Sequence, residues 1–120
     1  MDQNSDKRHY PRVSSDLSLK LHLDDSDVIT RAENISMSGV YCKVNKPIPL
    51  MSRISMIFLL SRAGQGPKTA RKIETTGVVV REHPVIVSGK ILHYDVAIFF
   101  DSLSDRDKEI IADHIKRKLQ

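Results

Sequence analysis

The 120-residue chain has one cysteine, no tryptophan and only 5% aromatic residues, and each shortage closes off a class of answer. A single thiol, Cys42, makes no intramolecular disulfide and no cysteine-based zinc site. It lies in Val40-Tyr41-Cys42-Lys43-Val44, an alternating pattern that reads as a strand, so a small strand residue is expected rather than a nucleophile. Three Tyr, three Phe and no Trp leave the core to Ile, Val and Leu. They also leave few aromatics for stacking bases, so neither RNA nor DNA is an expected partner. No apolar run approaches the roughly 20 residues of a membrane-crossing helix, and no membrane insertion is expected. Met1-Asp2-Gln3-Asn4-Ser5-Asp6 lacks the basic and apolar regions of a secretory signal, which points to a cytoplasmic location. The match of Asn34-Ile35-Ser36 to a glycosylation sequon is then chance. Nineteen basic residues against fifteen acidic ones, a net charge of +4, favour anionic partners only mildly.

What is present is a run of short strand patterns. Leu17, Leu19, Leu21 and Leu23 alternate with polar residues, as in a half-buried strand. Asp24-Asp25-Ser26-Asp27 reads as a turn, since the rest of a calcium loop is missing. Further strands are expected over 28–35, 40–44, 53–60, 73–81 and 92–100, with 85–90 either a loop or a short strand. Glu82-His83-Pro84 is expected to end the strand over 73–81, and Ala63-Gly64-Gln65-Gly66-Pro67 to form a loop. Five to seven such strands suggest a barrel or a sandwich. From Ser104 the period becomes helical, with Ile110, Ile111, Ile115 and Leu119 on one stripe. This predicts a closing helix over about 104–118, acidic at its start and basic at its end. Residues 1–15 lack apolar periodicity and read as a mobile arm, with residues 16–120 forming one folded domain.

Two clusters carry the chemistry. Arg8 and Arg12 flank His9-Tyr10-Pro11. Their planar forks suit phosphate oxygens or the O6/N7 edge of guanine. Pro11 disfavours a regular helix there, so a bent arm is expected. Asn34 and Ser36 are two apart, which on a strand sets both on one face. Gly39 permits a tight turn and a close backbone approach. Together they describe a receptor for an anionic, guanine-bearing ligand rather than an enzyme. The five histidines, His9, His22, His83, His93 and His114, have no metal spacing and no nucleophile beside them.

Arg8-x-x-x-Arg12 and Asn34-x-Ser36-x-x-Gly39, followed by Thr76-Gly77-Val78-Val79-Val80-Arg81 and Asp95-Val96-Ala97-Ile98-Phe99-Phe100, resemble the PilZ domain family of cyclic di-GMP receptors. The resemblance implies a six-stranded antiparallel β-barrel with a C-terminal helix. It implies cyclic di-GMP as the ligand, with no catalysis, no metal and no further cofactor. Arg8 and Arg12 would grip phosphates and guanine edges, Asn34 and Ser36 would bond the ligand from the strand, and Gly39 would shape the turn. Lys7 and Arg81 would be additional contacts. The arm would change conformation on binding and signal to a protein partner whose identity the sequence does not give. The competing expectation is an adaptor of the same fold that binds protein partners without nucleotide.

Overall fold

A computed structural model describes residues 12–60 and 70–119, with the backbone alone for Ser15 and Asp16. Six strands run in chain order: β1 (Val13–His22), β2 (Asp27–Ile35), β3 (Gly39–Val44), β4 (Arg53–Leu60), β5 (Arg71–Val87) and β6 (Lys90–Phe100). The helix α1 (Asp105–Leu119) follows. The strands close into an antiparallel barrel in the order β1-β2-β3-β6-β5-β4, with β4 returning to β1. Closure removes free sheet edges around the barrel wall.

Alternation decides which side chains fill the barrel. Leu17, Leu19 and Leu21 of β1 point inward with Ile54, Met56, Phe58 and Leu60 of β4. Ile73, Val79, Val96 and Ile98 close the opposite wall. With no tryptophan, the largest filler is Phe58, stacked on Phe100 at a centroid distance of 6.0 Å. Each fully buried Leu, Ile or Phe contributes about 1.5–3 kcal/mol of transfer free energy. The helix adds Ile111 and Ile115 and packs on β1 and β4. Ser104 caps it, its Oγ accepting from the Asp107 amide at 3.1 Å. Asp105 and Asp107 lie in the first turn and Lys116, Arg117 and Lys118 in the last, matching the helix dipole.

Three strand limits differ from expectation. β1 begins at Val13, inside the stretch read as arm, because Val13 is buried and pairs with Ile35. A bulge between Ser14 and Leu17 hides that start from a period-two reading. β5 does not end at Glu82-His83-Pro84 but continues to Val87. Pro84 is tolerated because beyond Val78 the strand has β6 as its only strand neighbour among the described residues, and an edge position needs no second donor. The doubtful stretch 85–90 is a hairpin, closed by Ser88 and Gly89 with φ of 53° and 77°. Two positive φ values in a two-residue connection suit the right-handed strand twist. The expected glycine-bearing loop at 63–67 lies outside the described residues.

Candidate ligand face of the barrel

The second motif sits where β2 leaves regular geometry. Opposite β3, β2 carries one extra residue between Ala32 and Asn34. That bulge lets Ala32 and Ile35 both face inward at an odd spacing, and it sets Asn34 opposite Tyr41. Register then links one row of residues across five strands: Ser14, Asn34, Tyr41, Ala97 and Arg81. Ser14 and Arg81 are exposed, and Asn34, Tyr41 and Ala97 half-buried, so the row lies on the outer wall. Asn34 Oδ1 is buried and has no hydrogen-bond partner among the described residues. Leaving an acceptor in that condition costs about 1–3 kcal/mol.

Ser36 behaves differently from Asn34. β2 ends at Ile35, and Ser36 is buried at 1% exposure in the turn that follows. Its Oγ accepts from the Ser38 amide at 3.1 Å and shares a hydrogen bond with Ser38 Oγ at 2.9 Å. Its amide donates to the Gly39 carbonyl at 2.9 Å. Strand alternation therefore does not hold both side chains on one surface, and Ser36 serves first to close its own turn. Gly39 is needed for packing. A Cβ there would fall against the Ile98 carbonyl of β6, with Ile98 C and Phe99 Cα at 3.1 and 3.2 Å. Its close approach is thus to a neighbouring strand. The turn is joined to β6 again where the Phe100 amide donates to the Ser38 carbonyl at 2.9 Å.

Of the first motif, Arg12 is described and Arg8 is not. Arg12 is exposed and immediately precedes Val13, whose partner Ile35 precedes Ser36. The register thus brings Arg12 to the end of the barrel that carries the Ser36–Gly39 turn. Lys7 and Arg8 lie outside the described residues. Arg81 shares the Asn34 row and is close enough to act electrostatically on Tyr41.

Two neighbours escaped the sequence reading. The Tyr41 hydroxyl donates to Asp95, and burial, then that bond, push its pKa up to about 12. Asp95 also meets His93 Nε2 at 3.1 Å. Beside them, Lys43 Nζ is 2.9 Å from Glu33 Oε2, and that bond raises the lysine pKa. The alternation around Cys42 places Tyr41 outside, but nothing local in the sequence pairs it with Asp95. Cys42 itself is buried in the wall, and desolvation pushes its thiol up to about 12, as for a core residue and not a nucleophile. Clefts lie elsewhere: one of about 260 Å³ between α1 and the ends of β4 and β5, and one of about 460 Å³ over β1, β4 and β5. The Asn34 row lines neither of these two clefts. No cluster of metal-ligating side chains occurs among the described residues, and none of their helices is long and apolar enough to cross a membrane.

A closed six-stranded antiparallel barrel with one C-terminal helix defines the class of fold. The chain belongs to the PilZ domain family, whose family model matches residues 6–117. No curated protein matches the chain closely enough to add to this. Among solved structures, the Bacillus subtilis inhibitor of motility (MotI/DgrA) aligns with a TM-score of 0.75 at 20% identity, over 93% of this chain and 51% of that one. The PilZ domain of YcgR from Escherichia coli with c-di-GMP aligns at 0.66 and 16%, over 94% and 92%. The K. pneumonia MrkH–c-di-GMP complex aligns at 0.70 and 16%, over 93% and 52%. At these identities the likeness is one of fold. The chain spans about half the length of MotI/DgrA and of MrkH.

Proposed function

We propose that this chain is a cyclic di-GMP receptor in which Arg8, Arg12, Asn34, Ser36 and Gly39 form the ligand site, with Lys7 and Arg81 as further contacts. The observation that carries the reading is Asn34 Oδ1, buried on the outer wall without a partner among the described residues. A buried acceptor of that kind gains most from a ligand that brings a donor, and the guanine N2 amine is one. Family membership and two structural neighbours captured with c-di-GMP support the choice of ligand. Arginine forks suit its two phosphates and its guanine O6/N7 edges. Ser36 and Gly39 contribute by fixing the turn, and the Ser36 hydroxyl reaches ligand only by giving up part of its bonding to Ser38.

The role is binding, not catalysis. The arm bearing Arg8 folds over the barrel wall when ligand joins it to the barrel, and the altered surface is read by a protein partner. Calorimetric titration with cyclic di-GMP, GTP and cyclic di-AMP tests the ligand. Saturable heat with cyclic di-GMP alone is expected, and silence at saturating ligand refutes the reading. Hydrogen exchange of residues 8–12 tests the arm, with marked slowing expected on binding. Exchange equally slow without ligand overturns the conformational part alone.

A further inference from the structure

Bulges on β2 and β5 turn two polar side chains onto one outer face. On β5, Val79 is buried opposite Ile98 and Arg81 stands opposite Ala97, so Val80 is an extra residue. Strict alternation would point Arg81 inward with Val79. The bulge points it outward instead, into the row of Asn34 and Tyr41. The bulge before Asn34 has the same effect on β2. Bulges are enriched beside functional sites, where they re-aim side chains.

The next row on this face holds Gly39, Phe99 and Val78. Of the three phenylalanines, Phe58 and Phe100 fill the core, whereas Phe99 is 51% exposed. A single exposed apolar side chain is ordinary. What sets this one apart is how little its neighbours offer to cover it. Opposite it on β3 is Gly39, which has no side chain. Two residues back along β6, on the same face, is Ala97, with only a methyl. Tyr41 is the diagonal neighbour large enough to lie over the ring. Its hydroxyl is held by Asp95, on the far side of Ala97 from Phe99.

We propose that Phe99 is the platform on which one guanine of cyclic di-GMP stacks, an inference that rests on the ligand reading given above. Arg81 stands diagonally from Phe99 across the β5–β6 pair, a separation that long and aromatic side chains span. A base lying on the phenyl ring presents its edge to that guanidinium, whose fork matches guanine O6 and N7. The ring attracts any base, and the fork selects guanine. One exposed phenyl suits a ligand of two bases. A polymer strand would want a platform for each successive base.

The chain has no tryptophan, so Phe99→Trp installs a sole indole reporter at the site. Titration with cyclic di-GMP should quench its emission saturably, because a stacked guanine accepts the excitation by contact. Ile29→Trp, at an exposed position five residues along β2 from Asn34, should hardly respond. Calorimetry on the parent and on Phe99→Leu gives the second readout. Leucine keeps apolar bulk and removes the ring, so affinity should fall roughly 5–100-fold. Melting of the free variant should stay near the parent's, since the side chain is half exposed. Should Phe99→Leu fail to fold, the emission of Phe99→Trp decides. A parent that binds cyclic di-GMP while Phe99→Leu binds it equally well overturns the platform and leaves the ligand reading standing. Unchanged Phe99→Trp emission at saturating ligand does the same. A parent that gives no heat overturns both.

Discussion

Tyr41 on β3 reaches past its register partner Ala97 and donates its hydroxyl to Asp95, two residues along β6. The diagonal ties β3 to β6 on the outer wall, next to Asn34. It also gives the fold an alkaline limit. The pKa of Tyr41 rises from 10.0 to about 12, so the unfolded chain loses that proton first. Its contribution to stability is complete below pH 10 and is lost as pH climbs through 12. Denaturant unfolding of the parent and of Tyr41→Phe should therefore diverge in that window, the parent losing stability more steeply. Parallel curves would mean that the Tyr41–Asp95 bond is not made in solution.

Asn34→Ala should separate binding from folding. Removing a buried acceptor that has no partner relieves a cost of about 1–3 kcal/mol, so the ligand-free variant should melt at or above the parent temperature. Its response to cyclic di-GMP should drop by about tenfold or more. A large fall in melting temperature would show that Asn34 is already satisfied in the free protein.

Gly39→Ala should do the reverse. The added methyl meets the backbone of β6, which cannot step aside as a side chain would. A destabilisation of about 1–3 kcal/mol is expected, as for overpacked cores. Measured at a temperature where the variant remains folded, its ligand affinity should change less than its melting point.

Arg12→Ala and Arg8→Ala each remove charge-assisted hydrogen bonds worth about 1.5–3 kcal/mol. Affinity for cyclic di-GMP should fall roughly 10–100-fold in either variant, with the barrel still folded. Parent-like binding by Arg12→Ala, followed by calorimetry, would remove the phosphate clamp from the proposal.

Much of the barrel was legible because its strands obey simple alternation. Leu17 to Leu21, Arg53 to Leu60 and the inward Val96, Ile98 and Phe100 announce a buried face by spacing alone. The helix was equally plain, from Ser104 as cap to Ile111 and Ile115 as its buried stripe. What escaped were the departures from alternation. Val13 joins β1 across a bulge, and Glu33 is an extra residue that resets the register before Asn34. Pro84 looked like a stop because sequence does not reveal that β5 is an edge there. The pairing of Asn34 and Ser36 was read from strand geometry, but the strand ends between them. Tyr41 and Asp95 lie 54 positions apart and meet only through the β3–β6 register, which no local pattern contains.

The approach of Gly39 to the Ile98 carbonyl bears on how the motif itself should be interpreted in other chains of this fold. Its letters answer to different masters. The glycine is demanded by two strands that touch, and the serine by a turn that must close. Both would persist in a barrel that had abandoned its ligand. Among the described residues the asparagine's side-chain oxygen has no internal partner, so it is the letter free to drift once nothing binds. Finding glycine and serine in a related chain is therefore a statement about its architecture, and the residue two places before the serine is the one to consult about its ligand.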